Sequence, residues 1–140
     1  MTPVVIDASI AVKWFLPEVH AAPARRLLRS NRPLLAPDLL WAEVGNALWK
    51  KCRRGELESA HALQMLKDLR RFPLRIFPSV KLLDAAWELA ARLDRSIYDS
   101  LYLALAVSAD GVLVTADQKF YNALKGSPAG SSVTWIERVR

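Results

Sequence analysis

The chain has 140 residues, 52% of them hydrophobic, with 20 Lys and Arg against 14 Asp and Glu, two His and one Cys. This length supports a hydrophobic core without disulfides or structural zinc, and one Cys with two distant histidines leaves zinc-finger, thioredoxin-like and disulfide-scaffold readings without ligands. The formal charge of +6 points to a polyanionic partner. A reducing, cytoplasmic setting is expected.

The longest uncharged apolar stretch, Ser100 to Ala109, is far shorter than a bilayer span requires, so no membrane partner is expected. The amino-terminal residues lack the basic region and cleavage pattern of an export signal. No linker composition or repeat divides the chain, which predicts one domain over residues 1–140.

In chain order, Val4 to Ile6 reads as a strand buried on both faces, ending at Asp7, and Ser9 to Phe15 as a helix stopped by Pro17. Ala21 to Ser30 is an amphipathic helix with Arg25, Arg26 and Arg29 on its wet side. Leu34 to Ala36 is a short strand, and Asp38 is placed to cap a helix running to Arg54 and closed by Gly55. Glu56 to Phe72 predicts a helix with Leu57, Ala60, Leu63, Leu66 and Leu69 along its stripe. A strand over Leu74 to Phe77, a helix over Val80 to Leu93 and a buried helix over Ile97 to Ala109 follow. Val112 to Val114 is a strand, Gln118 to Leu124 a short helix, Gly126 to Ser132 a loop and Val133 to Ile136 a last strand. Uninterrupted apolar strands separated by helices predict a three-layer α/β/α domain on a parallel sheet, with chemistry beyond the carboxyl ends of its strands.

Two strong strands end in acid, at Asp7 and at Asp117 after Thr115 and Ala116. Glu43 lies at the edge of a helical stripe, and Asp99 heads the most apolar helix. Each has a structural alternative: an Asp after a strand, as Asp7 and Asp117 are, often caps the next helix, Thr115 with Gln118, and Ser96 with Asp99, have capping-box spacing, and the stem of Glu43 can lie over the core with its head in water. Grouped at one sheet edge, four carboxylates would repel each other unless a cation compensated. Oxygen donors without His or Cys select a hard divalent ion, Mg²⁺ or Mn²⁺, which can activate water for attack on a phosphodiester. Ser9 and Thr115 are candidates for orienting the metal's waters or a phosphate oxygen.

Setting these four acids aside leaves 20 basic against 10 acidic residues, a surplus of +10 outside the proposed site. An acidic pocket in a basic frame suits a metal-dependent nuclease. The candidate frame residues, which would hold a nucleic-acid backbone, are Lys13, Lys50, Lys51, Arg53, Arg54, Arg92, Arg95 and Lys119, with Trp14 and Phe15 as candidate stacking surfaces. For any one of these basic residues the alternative is a solvated helix face. Trp41, Trp49, Trp87 and Trp135 are expected in the core or at a protein interface.

The blocks Val5-Ile6-Asp7-Ala8-Ser9, Pro37-Asp38-Leu39-Leu40-Trp41-Ala42-Glu43-Val44-Gly45-Asn46, Tyr98-Asp99-Ser100-Leu101-Tyr102 and Leu113-Val114-Thr115-Ala116-Asp117 occur in this order over nearly the whole chain. Together they resemble the PIN-domain family, in particular the single-domain toxins of VapBC toxin–antitoxin systems. The resemblance implies a PIN-like sheet ordered 3-2-1-4-5 and acidic metal ligands at Asp7, Glu43, Asp99 and Asp117. It further implies a Mg²⁺- or Mn²⁺-dependent endoribonuclease that cuts RNA needed for translation, a homodimer, and a cognate VapB-like antitoxin. A haloacid dehalogenase-like phosphatase would need a second Asp where Ser9 stands, and a receiver domain would need an acid where Pro78 and Ser79 follow the third strand. The other reading is a non-catalytic basic RNA-binding or complex-forming module whose acids are helix caps.

Overall fold

Short apolar runs build the centre of the molecule. The computed structural model describes residues 1–139, and Arg140, the last residue of the predicted domain, lies outside them. The strands are β1 (Val4–Ile6), β2 (Leu34–Pro37), β3 (Leu74–Phe77), β4 (Val112–Thr115) and β5 (Val133–Trp135). All neighbours pair in parallel, in the order β3-β2-β1-β4-β5. The implied order is therefore the observed one. Every residue of β1 is fully buried, and Val5 lies opposite Leu35 on one side and Leu113 on the other. The edge strand β3 instead alternates, with Leu74 and Ile76 half-buried and Arg75 and Phe77 exposed, because only one of its faces is well covered.

The helices are α1 (Ala8–Lys13), α2 (Ala21–Arg29), α3 (Leu39–Arg53), α4 (Ser59–Leu69), α5 (Ser79–Leu93), α6 (Ile97–Ser108) and α7 (Gln118–Leu124). Helix α6, continuously buried from Ser100 to Ala106, crosses β1, β2 and β4, with α5 packed against it. On the other face α1 packs on α2 and α3, and α3 on α4. The chain runs from β1 to β2 and β3, then returns across β1 to β4, so the switch in strand order falls at the β1–β4 pair. The acids that end these two strands therefore share one edge.

Two local expectations are corrected. Helix α4 is shorter than Glu56 to Phe72, and it buries Ala62 and Leu69 rather than the whole leucine stripe, with Leu63 left exposed. It packs against α3, and Leu63 opens onto a hollow that Trp41 and Leu66 also line. Asp38 makes no side-chain bond to its own helix. Its carboxylate accepts from the backbone N–H and the hydroxyl of Ser79 at the start of α5, while the Ser79 hydroxyl oxygen accepts from Leu39 N–H. This clasp joins the starts of two helices and holds the Asp38 carboxyl below its ordinary range through the Ser79 bonds.

Gly55 ends the α3 turn at φ +75, which a side chain would strain. A Cβ on Gly111 would lie 2.5 Å from the Pro3 carbonyl oxygen, the acceptor of the Val112 N–H that opens β4. No helix among the described residues is long and apolar enough to cross a membrane.

Candidate active site

Asp7 is 7% exposed, at the mouth of the β1–β4 pair. Its Oδ1 accepts from Ser9 Oγ at 2.5 Å and from Ile10 N–H at 3.3 Å, and its Oδ2 accepts from Thr115 Oγ1 at 2.6 Å. Asp7 thus caps α1 itself. Ser9 Oγ accepts in turn from Ala116 N–H, and Thr115 Oγ1 from Asp117 N–H, so β1 and β4 are cross-linked through the carboxylate. Burial pushes the Asp7 carboxyl up to about 6 despite these three bonds, and the charge of Asp117 adds to the rise. Asp117 is exposed and caps α7 by accepting from Phe120 N–H at 3.1 Å.

Glu43 projects half-buried from α3. Burial and the nearby charge of Asp99 raise its carboxyl, and the Tyr102 hydroxyl beside it works the other way. Asp99 departs from the capping-box expectation. Ser96 Oγ does accept from Asp99 N–H at 3.0 Å, but the Asp99 carboxylate turns to Arg95, whose Nη2 donates at 2.9 Å. The Arg95 guanidinium also lies 5.6 Å from the centre of the Phe120 ring.

Tyr102 joins the two halves of the site and was not among the sequence candidates. Its position three residues after Asp99, on a helix otherwise almost wholly apolar, was the available signal. Burial first, then Glu43 and the charges of Asp7 and Asp99, push its phenol far above the ordinary range. Among the described residues, the buried side-chain polar atoms without a hydrogen-bond partner are Arg95 Nε, Ser100 Oγ and the Tyr102 hydroxyl, all on the stretch that carries Asp99.

The four candidate acids are therefore linked electrostatically but not closed into one cluster. No group of three or more His, Cys, Asp or Glu among the described residues is gathered tightly enough to hold a metal ion. Arg95 draws Asp99 to itself and α7 holds Asp117 at its cap. The donor set nevertheless fits a hard divalent cation: all four acids offer oxygen, Asp7 bears a desolvation penalty that a cation would relieve, and unpartnered polar atoms flank Asp99.

The basic candidates separate clearly. Lys13 and Lys51 both bind Glu18, at 3.3 and 2.7 Å. Burial alone would raise the Glu18 carboxyl, but these lysines outweigh it and hold it low. Arg95 is paired with Asp99, whereas Arg92 flanks a separate hollow between α5 and α6. Lys119 is exposed on α7. Trp14 is corrected outright as a stacking surface: it is 7% exposed, donates its indole N–H to Ala24 O at 2.9 Å and packs on Phe72. Phe15 is likewise stacked on Phe72. Lys50, Arg53 and Arg54 remain exposed at the end of α3, and Arg54 pairs with Glu56 at the surface. A groove of about 560 Å³ runs along α3 past Glu43, Asn46, Lys50, Lys51 and Arg54, with Tyr98 on its wall.

A five-stranded parallel sheet, helices on both sides and acids at the switch in strand order define an α/β/α domain with an oxygen-donor site at its carboxyl edge. The chain belongs to the PIN-domain family, whose model matches residues 4–125. It is 35% identical over 117 residues to Ribonuclease VapC3 of Pyrobaculum aerophilum, covering 82% of this chain and 89% of that protein. Among solved structures, PAE2754 from Pyrobaculum aerophilum superposes with a TM-score of 0.71 at 27% identity, over 97% of this chain and 85% of that one. A chain of a toxin–antitoxin complex from Klebsiella pneumoniae shares the fold, with a TM-score of 0.63 at 18% identity, over 97% of this chain and 99% of that one.

Proposed function

We propose that residues 1–140 act as a single PIN domain with metal-dependent endoribonuclease activity, the toxin of a type II toxin–antitoxin pair. It hydrolyses RNA phosphodiester bonds and so inhibits translation and growth. The observation that carries this reading is Asp7, a buried carboxyl fixed across two strands by Ser9 and Thr115 and pushed up by its own desolvation. Asp7, Glu43, Asp99 and Asp117 would hold Mg²⁺ or Mn²⁺, which when bound supplies an activated water and offsets charge on the phosphoryl oxygens. Ser9 and Thr115 keep both oxygens of Asp7 oriented, and the buried Tyr102 sets its hydroxyl beside Glu43. The ribonuclease name of the Pyrobaculum relative supports the activity.

The partners in this reading are an RNA substrate, a second copy in a homodimer and a VapB-like antitoxin, in a cytoplasmic setting. A toxin–antitoxin complex among the structural neighbours accords with the last of these partners. The non-catalytic module has one observation in its favour, since Asp7 and Asp117 both do cap helices.

Incubating RNA with purified protein separates the two readings. Cleavage is expected with Mg²⁺ or Mn²⁺, and its loss is expected with EDTA and in Asp7→Asn and Asp99→Asn chains that keep a wild-type circular dichroism spectrum. Cleavage that survives chelation and both substitutions would falsify the nuclease mechanism.

A further inference from the structure

Three of the four candidate acids have hydrogen-bond partners, and Glu43 does not. Asp7 accepts from Ser9, Ile10 and Thr115, Asp99 from Arg95, and Asp117 from the Phe120 N–H. Glu43 sits within α3, where the main-chain N–H groups are taken up by the helix, and the donor beside it among the described residues is the Tyr102 hydroxyl. That hydroxyl closes no hydrogen bond to Glu43 or to any other group, although its side chain is only 3% exposed. A free acceptor and a buried free donor therefore stand side by side.

Packing does not account for the hydroxyl. The neighbours Leu101, Leu103, Ala104, Leu105 and Ala106 are all apolar and buried, and Phe would fill the ring's space without stranding a polar atom. Three positions after Asp99, Tyr102 rises from the same face of α6 and lies within reach of the charges of Asp7 and Asp99 as well as Glu43. Its polar end thus stands at the acids.

A neutral donor suits that position. Lys or Arg there would neutralise Glu43 as Arg95 does Asp99, and would contend with a metal for the carboxylate. A phenol gives one proton and carries no charge, so it can fix one carboxylate oxygen and leave the other to a cation.

Resting on the metal-site reading above, we infer that Tyr102 is the positioning residue for Glu43: its hydroxyl donates to the Glu43 carboxylate when the site is loaded and sets the orientation in which Glu43 serves as a ligand. Tyr102 itself touches neither the metal nor RNA. Its effect is on metal affinity, and the metal-free fold carries the hydroxyl unpaired.

The test uses the full chain and Mn²⁺ alone, with free Mn²⁺ read by electron paramagnetic resonance and no RNA present. Tyr102→Phe is expected to raise the Mn²⁺ dissociation constant by roughly 10- to 100-fold. In a Glu43→Gln background the same substitution is expected to change it by less than about 2-fold, because the hydroxyl acts through that carboxylate. Without metal, Tyr102→Phe is expected to match or exceed the wild-type urea midpoint, since removing an unpaired buried hydroxyl strands no partner. The inference is overturned if Tyr102→Phe binds Mn²⁺ like the wild type, or if its loss is equally large in the Glu43→Gln background. It is also overturned if the metal-free variant is destabilised or fails to fold, which would make the hydroxyl a structural element. A wild-type chain that neither binds Mn²⁺ nor cleaves RNA removes the nuclease reading itself. Binding and cleavage by the wild type, with Mn²⁺ binding unchanged in Tyr102→Phe, removes this inference alone.

Discussion

Asp7 is held by donors from its own helix and from β4, two strands cross-linked through one carboxylate, whereas Asp99 is held by the single guanidinium of Arg95. The first is buried and raised toward neutrality, and the second is about one-third exposed and already paired. The contrast separates two ways of preparing an acidic site. At Asp7 geometry is fixed in advance at a cost in stability, and at Asp99 a cation of the chain's own stands where another could replace it.

The largest expected effect breaks the fixed side. Asp7→Asn should lower RNA cleavage by more than about 100-fold, because even residues that only support a metal ligand typically cost 10- to 100-fold. Initial rates at saturating Mg²⁺ would check this, and a loss fully restored by more metal would contradict the preorganised role. Thr115→Val removes the 2.6 Å bond to Oδ2, together with the acceptor of the Asp117 N–H, and should cost roughly 10- to 100-fold, with Thr115→Ser recovering most of the rate. A Val variant as active as the wild type would show that Ser9 alone orients Asp7.

The next effect is on stability, and its sign follows from burial. The carboxyl titrates near 3.8 when unfolded and near 6 when folded, so the folded state binds the proton more tightly. The stabilisation belonging to the protonated group is complete below about pH 3.8 and is lost as pH rises through 6, a change of about 3 kcal/mol. Urea unfolding should therefore show wild type losing stability relative to Asp7→Asn between pH 4 and pH 7.5. Added Mg²⁺ should narrow that gap at the higher pH by binding only the folded state. An equal gap at both pH values would remove desolvation as the cause.

The smallest effect sharpens the replaceable side. Arg95→Gln should change stability by less than about 1 kcal/mol, since partly exposed ion pairs contribute little. It should also lower the metal concentration for half-maximal cleavage, because Asp99 no longer has a competing cation. A higher requirement would mean that Arg95 assists rather than competes.

Local pattern carried most of the architecture. Unbroken runs such as Val4-Val5-Ile6 and Val112-Leu113-Val114 identified central strands, and the acids that follow them identified the edge where chemistry collects. What stayed illegible depends on partners distant in sequence. Asp38 has the spacing of a cap for its own helix, yet it bonds Ser79, 41 residues away. Trp14 beside Asp7 resembles a stacking surface until α2 supplies the Ala24 carbonyl for its indole. Lys13 and Lys51 look free until both meet Glu18, and Asp99 looks like half of a capping box until Arg95 takes its carboxylate. Sequence spacing describes one helix at a time, and each of these outcomes is decided between elements or by competition among neighbours.

The bond from Thr115 to Asp7 spans 108 positions of the chain, which gives the site a place in time as well as in space. During synthesis the amino-terminal half can form β1, α1 and the helix that carries Glu43 while Asp7 still lacks its partner from β4. Closing a loop of that length is an intrinsically slow step that awaits most of the polypeptide. A nascent or truncated chain that stops before β4 has its leading carboxylate held through one oxygen only, so the completed site marks a chain that has been made and folded through Asp117.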